Sequence, residues 1–168
     1  DVCSSDLERF LKEQSIDFTK KNQSVTFLVF SNEDAALVGY FTLAIKPISV
    51  KAKNFSNTMK RKIARVSELD EINGTYTLSA YLIAQLGKNF RDGLNERISG
   101  EQLLQAAVDT IKELQYMAGG MVVFLEAEEE EKLIHFYQEK NGFKRFDTKE
   151  VKGRTEDAHM LVQLLKIL

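Results

Sequence analysis

Arg97-Ile98-Ser99-Gly100-Glu101-Gln102-Leu103-Leu104 is the stretch on which the fold turns. Ser99 is a good N-cap, Gly100 follows it, and Leu103, Leu104, Ala107, Val108, Ile111 and Leu114 then recur with a helical period as far as Met117. A glycine-containing turn that opens a long helix presents backbone N–H groups without helical acceptors at the positive end of the helix dipole. Such an end suits a phosphate or pyrophosphate. Arg97 adds a charge-assisted contact. The same residues also suit an ordinary cap with no ligand.

Downstream, Gly119 and Gly120 stop the helix, and Met121 to Glu126 reads as a continuous apolar strand of the buried parallel type. Glu129 to Lys140 reads as a helix with acidic residues in its first turn and Asn141-Gly142 as its stop. Met160 to Leu168 is an edge strand or a helix. Upstream, Thr75 to Leu86 is a strand ending at Gly87, and the β-prone runs Val25 to Phe30 and Ala36 to Ile45 flank the turn residues Asn32, Glu33 and Asp34 as an antiparallel hairpin. The lone proline, Pro47, follows the hairpin and introduces an irregular or briefly helical stretch. Ser4 to Lys20 opens the chain as an amphipathic helix, with Ser5 and Glu8 spaced as a capping box and Leu7, Phe10, Leu11 and Phe18 near one face. The order helix, hairpin, strand, helix, strand, helix, strand argues for an α/β or α+β domain with a mixed sheet.

The 168 residues, 43% of them hydrophobic, suffice for one sizeable core, and a net charge of −2 with an ordinary apolar fraction excludes intrinsic disorder. Cys3 is the sole cysteine and His135 and His159 lie far apart, so no disulfide, zinc cluster or Cys-His pair is expected, and a cytoplasmic setting is the default. Apolar runs such as Met121 to Leu125 fall far short of the roughly 20 residues of a membrane helix. The charge is unevenly spread. Phe41 to Val66 contains seven basic residues, Lys46, Lys51, Lys53, Lys60, Arg61, Lys62 and Arg65, and no acidic one, so the remainder of the chain carries −9. Part of that lies in Glu126, Glu128, Glu129, Glu130 and Glu131, and part in Glu68, Asp70 and Glu71. Such runs suit solvated faces, and the basic one also suits a polyanion.

Arg97-x-x-Gly100 opening a helix, a strand ending in Glu126, and then Phe136-Tyr137 with Asn141-Gly142-Phe143 together resemble the GNAT superfamily of acetyl-CoA-dependent N-acetyltransferases. Its signature is Gln or Arg, two residues, Gly, one residue, then Gly or Ala, and its later segment ends FY-x-x-x-GF. The resemblance covers roughly Val25 to Phe146. It implies a single GNAT-like domain over residues 1–168 with a mixed, mostly antiparallel central sheet flanked by helices. It also implies acetyl-CoA as cosubstrate with no metal, held by Gln85, Leu86 and Gly87 on the strand that pairs with the pantetheine arm and by Arg97, Ile98, Ser99, Gly100, Glu101 and Gln102 at the pyrophosphate. Two departures stand out. Gln102 replaces the usual Gly or Ala, which puts a side chain where the backbone normally approaches the pyrophosphate, and the family's opening strand has no counterpart before Ser4.

The resemblance implies direct attack by a neutral amine in a ternary complex, which suits a sequence without a nucleophile. Backbone N–H groups near Leu86 then polarise the thioester carbonyl, and Tyr137 donates a hydrogen bond or proton to the departing sulfur. Glu126 is a candidate base; a water without a dedicated base is the alternative. The basic segment followed by Tyr81 to Asn89 and the glycine turn is similar to the toxin-type branch, which implies an aminoacyl-tRNA substrate bound through Lys46–Arg65, and a homodimer or antitoxin partner. The alternatives are an acetyltransferase for a small amine or a protein amino group, and a non-catalytic acyl-CoA-binding regulatory module.

Overall fold

The computed structural model describes residues 8–152 and 158–168. Cys3, Leu7, the Ser5 half of the expected capping box and the question of a strand before Ser4 lie outside the described residues. Seven strands form one mixed, mostly antiparallel sheet: β1 Val25–Phe30, β2 Leu37–Lys51, β3 Leu69–Asp70, β4 Thr75–Lys88, β5 Val122–Glu128, β6 Lys144–Lys152 and β7 Ala158–Ile167. Their order is β1-β2-β4-β5-β7-β6, with β3 paired to β4. The α-helices are α1 Ser15–Lys20, preceded by a π turn over Phe10–Gln14, α2 Asn57–Ile63, α3 Gly100–Ala118 and α4 Glu131–His135, which continues into a π turn over Phe136–Lys140.

The chain divides into two compact units, one of residues 1–45 and 81–119, the other of residues 46–80 and 120–168. In the first, β1 and β2 form the expected hairpin, in register from Val25↔Leu43 to Val29↔Gly39 with a shift of register before Phe30↔Leu37, and with Phe27 stacked on Phe41 at 5.1 Å. Helix α3 buries Leu103, Leu104, Ala107, Val108 and Ile111, the stripe that the 3.6-residue period dictates. Its last turn is anchored by Tyr81, whose hydroxyl donates to the Gly119 carbonyl at 2.6 Å. Gly39 is the tight point of this unit. A Cβ there would lie 3.0 Å from the Gly87 carbonyl oxygen and 3.3 Å from both methyl carbons of Leu103. Gly39→Ala should therefore force backbone against side chain and lower the unfolding free energy by about 1–3 kcal/mol, read as a lower urea midpoint at unchanged slope.

In the second unit the apolar strand β5 pairs with β7 in antiparallel register, Val122↔Ile167 to Glu128↔Leu161, which corrects the expected parallel character on that side. The terminal apolar run is a strand, and an interior one. It lies between β5 and β6, with Val162, Leu164 and Leu165 fully buried, so its apolar residues on both faces reflect burial and not an edge. Strand β2 also runs further than its expected end at Ile45, passing through Pro47 to Lys51. The β1 ladder ends at Leu43, so β1 does not pair with β2 at Pro47 and the missing proline N–H is tolerated. The basic stretch is regular, comprising the end of β2, a 3-10 turn over Ala52–Asn54 and α2, whose N-cap Ser56 accepts from the Met59 N–H at 3.3 Å. The expected helix over Glu129–Lys140 starts at Glu131 and changes to π geometry at Phe136.

Candidate functional site

In the first unit, β4 carries Gln85 and Leu86, half-buried, and Gly87, buried. The strand end is fastened by Asn89, whose N–H donates to the Val38 carbonyl at 2.9 Å and whose Nδ2 donates to the Leu37 carbonyl at 2.8 Å. Nothing local marks Asn89 as this clamp, because its partners lie some fifty residues earlier. The chain next makes a 3-10 turn over Arg91–Arg97, broken where Asp92 and Gly93 take φ of 51° and 75°. Buried Ile98 is extended and leads into Ser99, the N-cap of α3.

The N-terminus of α3 is closed by a reciprocal capping box. The Gln102 N–H donates to Ser99 Oγ at 3.0 Å, and the Ser99 N–H donates to Gln102 Oε1 at 2.9 Å. The side chain expected to project toward an incoming phosphate is therefore folded back onto its own turn. That corrects the reading of Gln102 as an obstruction: the glutamine is the box's third-position partner, a signal already present in Ser99-x-x-Gln102. The N–H groups of Gly100 and Glu101, at the first and second helical positions, have no acceptor within the helix. Glu101 is exposed and places a carboxylate at the positive end of the dipole.

Arg97 is engaged as well. Its Nη1 donates to Asp34 Oδ2 at 2.6 Å, while Asp34 Oδ1 accepts from the Ala36 N–H at 3.2 Å. Asp34 sits in the β1–β2 turn, where Ala35 takes the left-handed φ of 57° that tightens the loop. The Arg97 hydrogen bond, with that of Ala36, holds the Asp34 carboxyl below its ordinary range, and the pairing raises Arg97 in turn. The depressed acid sets the sign: the pair is intact above the ordinary carboxylate value of about 3.9 and is lost as pH falls through the lowered one. Both side chains are about half exposed, so the pair orients more than it stabilises.

Tyr137 and Glu126 belong to the second unit. Tyr137 is buried in the π turn that follows α4, edge-on to Phe136 at 5.1 Å and to Phe143 at 5.9 Å, and its carbonyl accepts from the Phe143 N–H at 3.0 Å. The motif Phe136-Tyr137…Gly142-Phe143 is thus an aromatic cluster closed by a turn, with Gly142 at φ 70°. The π geometry re-aims the ring relative to a regular helix and is common where a helix carries function. Glu126 holds cross-strand neighbours: Lys149 Nζ lies 3.2 Å from both carboxylate oxygens, and Gln163 Nε2 donates to Oε1 at 2.7 Å. Both oxygens are committed to β6 and β7, the arrangement of a structural tie.

The two charge runs differ in a way that counting residues does not show. In the acidic run, Glu126 pairs with Lys149, Glu128 with His159 at 3.3 Å and Glu129 with Arg145 at 2.9 Å. None of the seven cations between Lys46 and Arg65 has an ion-pair partner among the described residues. Six are exposed and Lys60 is half-exposed, while Ile48, Val50, Phe55 and Ile63 of the same segment are buried. The segment is held in shape by Asn54 Nδ2 donating to the Phe146 carbonyl at 2.8 Å and by the Ala52 N–H donating to the Gly74 carbonyl at 2.9 Å. Among the described residues no group of three His, Cys, Asp or Glu is placed to hold a metal ion, and no helix is long and apolar enough to cross a membrane.

No family model and no curated protein matches the chain. Solved structures do. AtaT complexed with acetyl-methionyl-tRNAfMet matches with a TM-score of 0.64 at 17% identity, over 93% of this chain and 81% of that one. A tyrosine-to-phenylalanine variant of KacT matches with a TM-score of 0.60 at 17% identity, over 94% and 82% of the two chains. A tyrosine-to-phenylalanine variant of the AtaT toxin, bound to the C-terminus of the antitoxin AtaR and acetyl-CoA, matches with a TM-score of 0.59 at 16% identity, over 97% and 79%. These likenesses extend over nearly the whole chain, and the protein has the fold of the GNAT acetyltransferases.

Proposed function

We propose that this chain is one acetyltransferase domain that moves an acetyl group from acetyl-CoA to the amino group of an aminoacyl-tRNA in the cytoplasm. The observation that carries the reading is the turn Arg97–Gln102, which opens a 19-residue helix that is the next α-helix after the strand carrying Gln85–Gly87, with a broken 3-10 turn between them. The Gly100 and Glu101 N–H groups suit the diphosphate, with Arg97 beside them. Gln85, Leu86 and Gly87 offer backbone groups to the pantetheine arm. The thioester supplies the activated acetyl group. Main-chain N–H groups near Leu86 polarise its carbonyl, and the Tyr137 hydroxyl stabilises the sulfur as it leaves. Glu126, tied to Lys149 and Gln163, is a poor choice of base, so a water takes the amine proton.

Support for tRNA as the carrier of the amine comes from the cations of Lys46–Arg65, mostly exposed and without an ion-pair partner among the described residues. Among proteins of this fold, AtaT has been solved with an acetylated aminoacyl-tRNA and with the antitoxin AtaR, and KacTA with DNA. An antitoxin partner is part of the reading on the same footing. The test is to incubate the protein with labelled acetyl-CoA and, in parallel, aminoacyl-tRNA, a polyamine panel and a peptide panel. Label on the aminoacyl-tRNA is expected; label on a polyamine or peptide instead overturns the substrate assignment.

A second reading, a non-catalytic acyl-CoA-binding regulatory module, is favoured by one observation: Arg97 is bonded within the protein, to Asp34. In that case no amine takes the label although acetyl-CoA binds. The Asp34–Arg97 pair makes its own prediction. Asp34→Asn removes a negative charge beside the turn and releases Arg97, so acetyl-CoA should bind about 2- to 5-fold more tightly, the range of an exposed ion pair. The gain should persist across about pH 6 to 8, where Asp34 of the parent stays ionised. Calorimetric titration checks it, and unchanged or weaker binding means that Asp34 positions Arg97 and does not compete for it.

A further inference from the structure

The second unit contains a cavity of about 360 Å³ that none of the acetyl-transfer residues lines. Its polar lining residues are Ser56 and Thr58 at the start of α2, Lys62 in its last turn, Lys144 at the start of β6 and Lys166 near the end of β7. Three lysines and two hydroxyl-bearing residues thus line one cavity, and no carboxylate-bearing residue is among its lining. Buried Leu165 contributes to the lining, and Gly142 leaves the wall open because nothing lies within 4 Å of where its Cβ would be.

The wall is partly built in advance. Lys166 Nζ donates to the Asn141 carbonyl at 2.9 Å and lies 5.8 Å from the centre of the Phe143 ring, which fixes one ammonium and leaves it protons to donate. Ser56 Oγ accepts from the Met59 N–H, so its own proton is available to a ligand. Lys62 and Lys144 are exposed and have no ion-pair partner among the described residues, whereas Arg145 and Lys149 on the same strand as Lys144 are paired with Glu129 and Glu126. Three like charges around one recess repel one another and focus a positive potential that an anion relieves.

We propose that this cavity holds a backbone phosphate of the RNA substrate, bound by Lys62, Lys144 and Lys166 with Ser56 and Thr58. The inference rests on the aminoacyl-tRNA reading and deepens it. It adds to the basic segment two lysines that lie some 80 to 100 residues further along the chain and that the sequence alone does not group with it. Continuity decides for nucleic acid over an acidic peptide, since Lys62 belongs both to the cavity and to the basic strip Lys46–Arg65. The mixture of lysine and hydroxyl donors is the usual wall of a phosphate site.

The experiment measures binding of a fluorescently labelled tRNA by anisotropy between about 50 and 200 mM salt. Lys144→Gln should weaken binding about 5-fold near 0.1 M salt, and Lys62→Gln with Lys144→Gln about 25-fold. The slope of log affinity against log salt should flatten by about 0.7 for each ammonium group removed. Lys112→Gln, on α3 and paired with Asp109, should change neither. Affinity for acetyl-CoA should be unchanged in all three variants. Parental tRNA binding in the Lys62/Lys144 variant overturns the proposal, as does a parallel loss of acetyl-CoA affinity, which assigns the cavity to the cofactor's phosphates. Polyglutamate displacing the tRNA as well as unlabelled RNA does overturns it in favour of an acidic protein surface. A parent protein that acetylates amines but shows no salt-dependent tRNA binding contradicts the underlying aminoacyl-tRNA reading instead.

Discussion

Replacing Tyr137 with phenylalanine is expected to lower turnover by about 10²- to 10⁴-fold while leaving acetyl-CoA affinity nearly unchanged. The ring of Tyr137 is buried edge-on to Phe136 and Phe143, and phenylalanine preserves that packing and lacks only the hydroxyl. The size of the effect depends on what the hydroxyl does. An ordinary phenol near pKa ~10 giving its proton to a thiolate near ~8.5 is uphill by about 1.5 units, or about 2 kcal/mol, so hydrogen-bond stabilisation of the departing sulfur accounts for the role without full proton transfer. Steady-state turnover with labelled acetyl-CoA, together with a thermal melt to confirm folding, decides the matter. A folded Tyr137→Phe protein with parental turnover removes Tyr137 from the mechanism.

Removing three cations of the basic segment, Lys53→Gln, Arg61→Gln and Arg65→Gln together, should weaken tRNA binding by about 10²-fold near 0.1 M salt and flatten its salt dependence by about 2 to 3 in the log–log slope. All three side chains are exposed, and none has an ion-pair partner among the described residues. Their removal therefore breaks no internal ion pair, and the melting temperature should stay within a few degrees of the parent. The acidic run makes the contrast. Neutralising Glu126 removes a carboxylate that holds Lys149 and Gln163 across three strands, and it should cost stability without changing RNA affinity. If the triple variant binds tRNA as the parent does, the basic segment is a solvated face.

The two halves of the molecule were legible to different degrees, for physical reasons. Helix α3 and its cap were readable because every signal is local: Ser99, Gln102 and a 3.6-residue apolar stripe lie within a few turns of one another. The hairpin was readable in the same way from β-prone runs around Asn32, Glu33 and Asp34, although the left-handed Ala35 that closes its turn has no residue-type signature. The true end of β2 was hidden because proline is a breaker only where its N–H is needed, and beyond Leu43 the strand has no β1 partner. Strand β7 was ambiguous because residues buried on both faces show no alternation, and only its place between β5 and β6 resolves it.

The candidate site shows the same division. Arg97 and Gln102 were identified by their place in a motif, but what each is bonded to was not: Asp34 lies sixty-three residues from Arg97. The basic segment was visible as a count of charges. That its cations have no ion-pair partner among the described residues, and that Lys62 lines one cavity with Lys144 and Lys166, are facts of the folded chain. Long-range pairing of this kind leaves no periodic trace in the sequence.

The central claim is tested most directly by the chemical identity of the acetylated product. The protein is incubated with acetyl-CoA and a charged tRNA, the aminoacyl ester is hydrolysed, and the released amino acid is weighed by mass spectrometry. An N-acetyl amino acid, formed by the parent and strongly reduced with Tyr137→Phe, is the predicted result. An unmodified amino acid from a preparation that binds acetyl-CoA and tRNA would contradict it.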